Sequence, residues 1–151
     1  YTAQNMGAGR WDRVCKGNRI GAAMSVAAVG TVSLGLYFLT APLGGLFVPV
    51  QDAAAVVPQA VAFMRRMAPF FLFYALAESF SGACCGTGDT VRPMILTLLS
   101  ICLLRVLGIL LVLPRQHTME CIIDIYISSW IAAGIGFLIL WQWEKNRVQK
   151  T

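Results

Sequence analysis

Residues 67–85 read MAPFFLFYALAESFSGACC, a run of apolar and small side chains interrupted by one charge, Glu78. From Met67 to Cys85 the run is long enough to cross a hydrocarbon core, which needs about 20 such residues. Three more stretches have the same character: Ile20 to Leu39, Pro93 to Leu113, and Ile122 to Trp143. The third holds one charge in its interior, Arg105. The pattern predicts an all-α integral membrane protein with four transmembrane helices, near residues 20–39, 67–85, 93–113 and 122–143.

Composition points the same way. The 151 residues are 58% hydrophobic and only 13% charged, against roughly 25% charged in a soluble domain, and mean hydropathy is +0.69. A water-soluble fold of this length could not hide so much apolar side chain. The net charge of +5 does not imply nucleic acid, because the basic residues sit beside apolar spans as cytoplasmic loops do. Five cysteines, Cys15, Cys84, Cys85, Cys102 and Cys121, are odd in number and lack metal-type spacing. They are expected to be packing residues or bystanders and not a disulfide framework or zinc site. The chain opens at Tyr1 without an initiator Met or signal-peptide pattern, and reads as a piece of a longer polypeptide.

Flanking charge sets the expected orientation. Arg10, Arg13, Lys16, Arg19, Arg92, Lys145, Arg147 and Lys150 fall on one side of the four spans; Arg65, Arg66 and Arg115 fall on the other. The larger group belongs in the cytoplasm, so both ends of the chain are expected inside, and Gly7–Gly9 should share a face with Gly86–Asp89. Trp141 and Trp143 suit an interfacial belt. Gly86-Thr87-Gly88-Asp89 reads as a tight turn, and Pro93 as a residue of a first helical turn. Between Val48 and Arg66 an amphipathic surface helix is expected, with Asp52 as its cap, Pro58 kinking or starting it, and Val57, Val61 and Met64 facing inward. Small residues recur every fourth position at Ala23, Ala27, Thr31 and Gly35, and again at Ser128, Ala132 and Gly136. Such stripes let helices approach closely in lipid and indicate a bundle, not an activity.

Glu78 is the first functional candidate. It lies about 14 Å from the cytoplasmic face, where an ionised carboxylate is costly in lipid. It is therefore expected to be buried in the bundle or to face a cavity. Its helical face includes Phe71, Tyr74, Ala75, Ser81, Gly82 and Cys85, and Tyr74 can donate to it or help ligate a cation. The functional reading is a proton- or sodium-binding carboxylate on a substrate path; the structural one is an ion pair within the bundle. Arg105, about 18 Å deep, could be its ion-pair partner or could snorkel to an interface. Asp124 and Glu120 read as helix-start acids beside water, Asp89 as a turn residue, and His117 as a loop residue without a partner. Gly7-Ala8-Gly9 is no dinucleotide fingerprint. No nucleophile is placed beside a base, so no enzyme is expected.

Ala3-Gln4-Asn5-Met6-Gly7-Ala8-Gly9-Arg10 resembles a motif of the multidrug and toxic compound extrusion (MATE) family, at the cytoplasmic end of the eighth transmembrane helix. Met67-Ala68-Pro69-Phe70-Phe71, Ser81-Gly82-Ala83 and Gly86-Thr87-Gly88-Asp89-Thr90 resemble the tenth helix and its following turn. Leu104-Arg105-Val106 resembles a segment of the eleventh. The resemblance covers essentially the whole chain. It implies helices nine to twelve of a twelve-helix transporter, most of the second lobe, in a cation-coupled antiporter that expels organic, drug-like compounds by alternating access. It also implies that Tyr74 and Glu78 correspond to a tyrosine and an acid one turn apart on the tenth helix of sodium-coupled members.

The expected coupling ion is H+ or Na+, with sodium a candidate at Glu78 and Tyr74, and no other cofactor. Expected partners are the lipid bilayer, the missing N-terminal lobe and preceding helices, and a small organic substrate, with no nucleic acid. The expected location is the plasma (inner) membrane. Two other readings stay open: a lipid-linked oligosaccharide flippase of related architecture, which would want more cavity cations than Arg105, and a non-transporting scaffold subunit, which would not need Glu78.

Overall fold

The computed structural model describes residues 1–115 and 118–148. His117 and Lys150 lie outside the described residues. All of the regular structure among those described is helical, and four helices are long and apolar enough to span a membrane. They are Trp11–Phe47, Val50–Gly86, Val91–Leu111 and Met119–Val148. Each contains the core of one expected span.

A short helix, α1 (Thr2–Gly7), precedes α2 (Trp11–Phe47). At 37 residues α2 is about 55 Å long, far longer than the roughly 30 Å core, and passes Pro42 without stopping. It ends where Pro49 forces Val48 into an extended conformation, because the ring of a proline disfavours α geometry in the residue before it. The chain reverses there into α3 (Val50–Met67). A single turn of 3₁₀ helix, Ala68–Phe70, carries it into α4 (Phe71–Gly86). Pro69 explains the change: it has no N–H for the usual bond to the fourth carbonyl back.

The expected surface helix is thus the first half of a continuous 37-residue helix, Val50–Gly86, paired with α2 in a long hairpin. Pro49 occupies the N-cap position and no side chain caps the helix, so Asp52 does not have the capping role expected of it. Pro58 lies inside α3. Val57, Val61 and Met64 are half-buried, with Val57 against Gly44 of α2.

Gly9 and Gly88 sit in the two turns at one end of the bundle with φ of 67° and 96°, a left-handed region that side chains resist. Thr2 packs against Gly86, which brings the Gly7–Gly9 and Gly86–Asp89 turns to the same end. The third span is α5 (Val91–Thr97), a π-helical turn Leu98–Leu103, and α6 (Leu104–Leu111). Pro93 falls in its first turn, where an N–H is not needed.

Helix α7 (Met119–Val148) is central: it packs extensively on α4 and also receives the third span. One core cluster, near the chain ends, joins Val14, Phe80, Cys84, Ala133, Phe137 and Trp141; another joins Met67, Ile123, Ile127 and Trp130. Trp141 is therefore a core residue, its ring 5.9 Å from that of Trp11, and not part of an interfacial belt. Trp143 is exposed at the end of the span. The close helix approach occurs at Gly134, whose missing side chain admits the Phe73 carbonyl of α4; a Cβ there would stand 3.1 Å from that oxygen. Of the anticipated stripes, Ala23, Ala27 and Thr31 are exposed, while Gly136 abuts Leu96.

Candidate functional site

One face of α4 makes the bundle core through Ala77, Phe80, Ala83 and Cys84. The opposite stripe, Tyr74, Glu78, Gly82 and Cys85, is exposed. The spacings of four, four and three residues keep these side chains in line. Glu78 is therefore not enclosed by these four helices, which corrects the expectation of burial within the bundle. Small apolar side chains occupy the packing face, and the charge is left on the other.

Tyr74 is one turn away, 39% exposed. Its phenol and the Glu78 carboxylate are electrostatic neighbours, and Arg105 acts on the same phenol from the third span. The ring of Tyr74 lies 6.1 Å from that of Trp130 on α7, which also meets Phe71 at 5.1 Å and Tyr126 at 6.3 Å. Four mutually tilted aromatic rings thus cluster around the buried Trp130, a grouping we call the platform, with a carboxylate one turn from Tyr74.

Arg105 lies over that platform. Its Cζ is 4.2 Å from the centre of the Tyr126 ring and 5.8 Å from that of Trp130. Its Nε donates to Ser129 Oγ at 2.9 Å, and Ser129 in turn donates to the Tyr126 carbonyl. Among the described residues no ion pair joins Arg105 to Glu78, so the expected ion pair is not formed. The physical reason is helix placement: α6 packs chiefly on α7. In addition, the π turn just before Arg105 adds a residue to its helical turn and rotates the rest of the span about its axis. The guanidinium is held instead against α7 by cation–π contact with Tyr126 and Trp130, an attraction between a positive charge and a ring face.

Acids read as helix-start or turn residues prove to have partners. Asp124 accepts two hydrogen bonds from Arg66 Nη2, at 2.7 and 2.9 Å, with Glu120 3.7 Å from the same guanidinium. This ties α3 to α7 at one end. Both partners are substantially exposed, so the pair contributes about 0–1 kcal/mol.

At the other end Glu144, which sequence reasoning passed over, is fully buried. Its Oε2 lies 2.9 Å from Arg147 Nη2 and its Oε1 3.4 Å from Arg92 Nη1. Arg92 Nη1 also reaches Asp89 at 2.7 Å, and its guanidinium lies 4.2 Å from the Trp143 ring centre. Burial pushes the Asp89 carboxyl up, but hydrogen bonds with Glu144 and Arg92 outweigh it and hold it below the ordinary carboxylate range. The signal for Glu144 is its place one residue past an apolar run; only the fold reveals its burial.

Removing Glu144 takes a buried carboxylate away from Arg92 and Arg147, while Arg92 keeps Asp89. Glu144→Ala is expected to destabilise the protein by about 2 kcal/mol, less than the 3–5 typical of a broken buried pair, because both arginines reach water. A thermal melt of the detergent-solubilised full-length protein checks this. An unchanged Tm would show that the network holds nothing together.

Among the described residues no group of three or more His, Cys, Asp or Glu side chains is gathered to hold a metal ion. The MatE family model matches residues 1–111. Comparison with curated proteins and with solved structures returns no match.

Proposed function

The chain belongs to the MatE family, a family of membrane efflux transporters, and we propose that it forms helices nine to twelve of a cation-coupled antiporter exporting organic, drug-like compounds by alternating access. The family's members are transporters and not enzymes, and the four apolar helices fit a multi-pass membrane protein.

The observation that carries the proposal is the pairing of Glu78 with Tyr74 on the exposed stripe of α4, beside the aromatic platform. A carboxylate exposed on a span is unfavourable against lipid. It is acceptable where the stripe faces a water-filled cavity between two lobes, and there it can exchange H+ or Na+. The Glu78 carboxylate beside Tyr74 favours a cationic substrate, which matches the proposed class, while Arg105 already covers Tyr126 and Trp130. Arg105 orients the platform through Tyr126, Trp130 and Ser129. Among the described residues it is the one arginine or lysine at this site, which favours drug export over an oligosaccharide flippase.

The inner membrane is the proposed location, with both ends cytoplasmic. Supporting this, Arg10, Arg13, Lys16, Arg19, Arg92, Lys145 and Arg147 gather at the end of the bundle that carries both glycine turns, while Arg65, Arg66 and Arg115 flank the other.

The test is export of ethidium by the full-length protein in proteoliposomes, under an imposed proton or sodium gradient. Export that follows one of the gradients supports the reading. Export indifferent to the collapse of both overturns it.

A further inference from the structure

A groove of about 760 Å³ runs between the start of α2 and the end of α7, with no residue of α4 in its lining. Lys16 and Arg19 of α2 and Lys145 of α7 line it, opposed by one carboxylate, Asp12. Its remaining wall includes Trp11, Ile20 and Ala23. We propose that this groove binds the phosphate headgroup of an anionic phospholipid from the cytoplasmic leaflet.

Two observations carry the proposal. The first is charge complementarity. Three cations against one anion give the groove a net positive charge, and basic pockets between helices at the cytoplasmic boundary recognise anionic headgroups. The size suits a small ligand, since such sites measure about 300–1,000 Å³. The second is the order of the wall along α2. Lys16 and Arg19 come first, then Ile20, 50% exposed, then Ala23 and the exposed Ala27 and Thr31. Charge gives way to apolar and small residues in the direction in which a lipid passes from headgroup to acyl chain. From Lys16 to Thr31 the helix rises about 22 Å, enough to reach well into the hydrocarbon. The exposed small residues on α2, Ala23, Ala27 and Thr31, provide a shallow track for an acyl chain.

The other flank of α2 is differently occupied: Tyr1 packs its ring on Gly17 there. The lipid groove is left uncovered by the described residues. The site rests on the orientation proposed above, but not on Glu78 or on any coupling ion, so its test is independent of export.

Cys15 lines the groove and reports its occupancy. The full-length protein, delipidated in mild detergent, is labelled with a maleimide, and modification of Cys15 is read by peptide mass spectrometry. Three probes are compared: dioctanoyl phosphatidylglycerol, dioctanoyl phosphatidylcholine and inorganic phosphate. Phosphatidylglycerol is expected to slow Cys15 labelling about tenfold, with neither of the others doing so at equal concentration. Replacing Lys16, Arg19 and Lys145 together by alanine should abolish the protection. Lys145→Gln alone, a milder change, should weaken phosphatidylglycerol binding about fivefold. Equal protection by phosphatidylcholine would overturn the charge recognition, and protection by phosphate alone would make this a free-anion site. Undiminished protection in both variants would remove the cations from it. A Cys15 that resists labelling even without lipid would mean that another protein segment fills the groove, and would also overturn the proposal.

Discussion

Glu78→Gln is expected to lower gradient-driven export by about ten- to a hundredfold, the range of a typical coupling free energy between two ligands, while leaving protein yield unchanged. Glutamine keeps the size of glutamate and can still hydrogen-bond Tyr74, but it cannot release a proton or neutralise a sodium ion. The geometry separates this effect from misfolding. Glu78 lies on the exposed stripe of α4 and takes no part in an ion pair with Arg105. Its neutralisation therefore strands no buried partner. Had the two been paired, the variant would have lost yield, and Arg105→Met would have restored it. With Arg105 held instead by Ser129 and two aromatic rings, Arg105→Met in the Glu78→Gln background should give no rescue. Full drug efflux by the Gln variant, still dependent on an ion gradient, would remove Glu78 from the mechanism.

The second large effect is structural. Gly134→Leu is expected to destabilise the protein by about 3 kcal/mol, near the upper end for overpacking. The obstacle is a backbone oxygen, that of Phe73, 3.1 Å from where a Cβ would stand, with the Phe73 ring at 3.4 Å. A side chain can rotate aside; a carbonyl within a helix moves only if the helix moves. Separating α4 from α7 would also disturb the platform, because Tyr74 and Trp130 belong to those two helices. Gly134→Ala needs a shift of only a few tenths of an ångström, so its cost should be nearer 1 kcal/mol. Thermal melts of the full-length variants give the comparison. Wild-type stability in Gly134→Leu would contradict the close approach of α4 and α7.

The four helices are legible in the sequence because lipid imposes a length and polarity requirement that local sequence alone satisfies or fails. The candidate pair is legible for a related reason: Glu78 is the charge inside an apolar run, and Tyr74 precedes it by one turn. Helix ends are less visible. Thr40–Phe47 continues α2 through a proline and a pair of glycines that suggest a loop, because pairing with α3 overrides local preference. The partner of Arg105 depends on a π turn and on which helix the third span leans against, neither of which leaves a mark in periodicity. Glu144 is hidden by its surroundings: a glutamate among Lys145 and Arg147 looks solvated until Arg92 arrives from another helix. Trp141, two residues before Trp143, suits the interface by sequence alone, but two positions on a helix are some 200° apart and only one of them faces outward.

The central claim is that substrate and coupling cation are linked through the Glu78 carboxylate. The direct measurement is the Kd of ethidium for the purified full-length protein, taken across proton and sodium concentrations, in the wild type and in Glu78→Gln. The account predicts that rising concentration of the coupling cation weakens wild-type binding about tenfold or more, and that Kd in the variant stays flat. An ion dependence that persists undiminished in Glu78→Gln would contradict it.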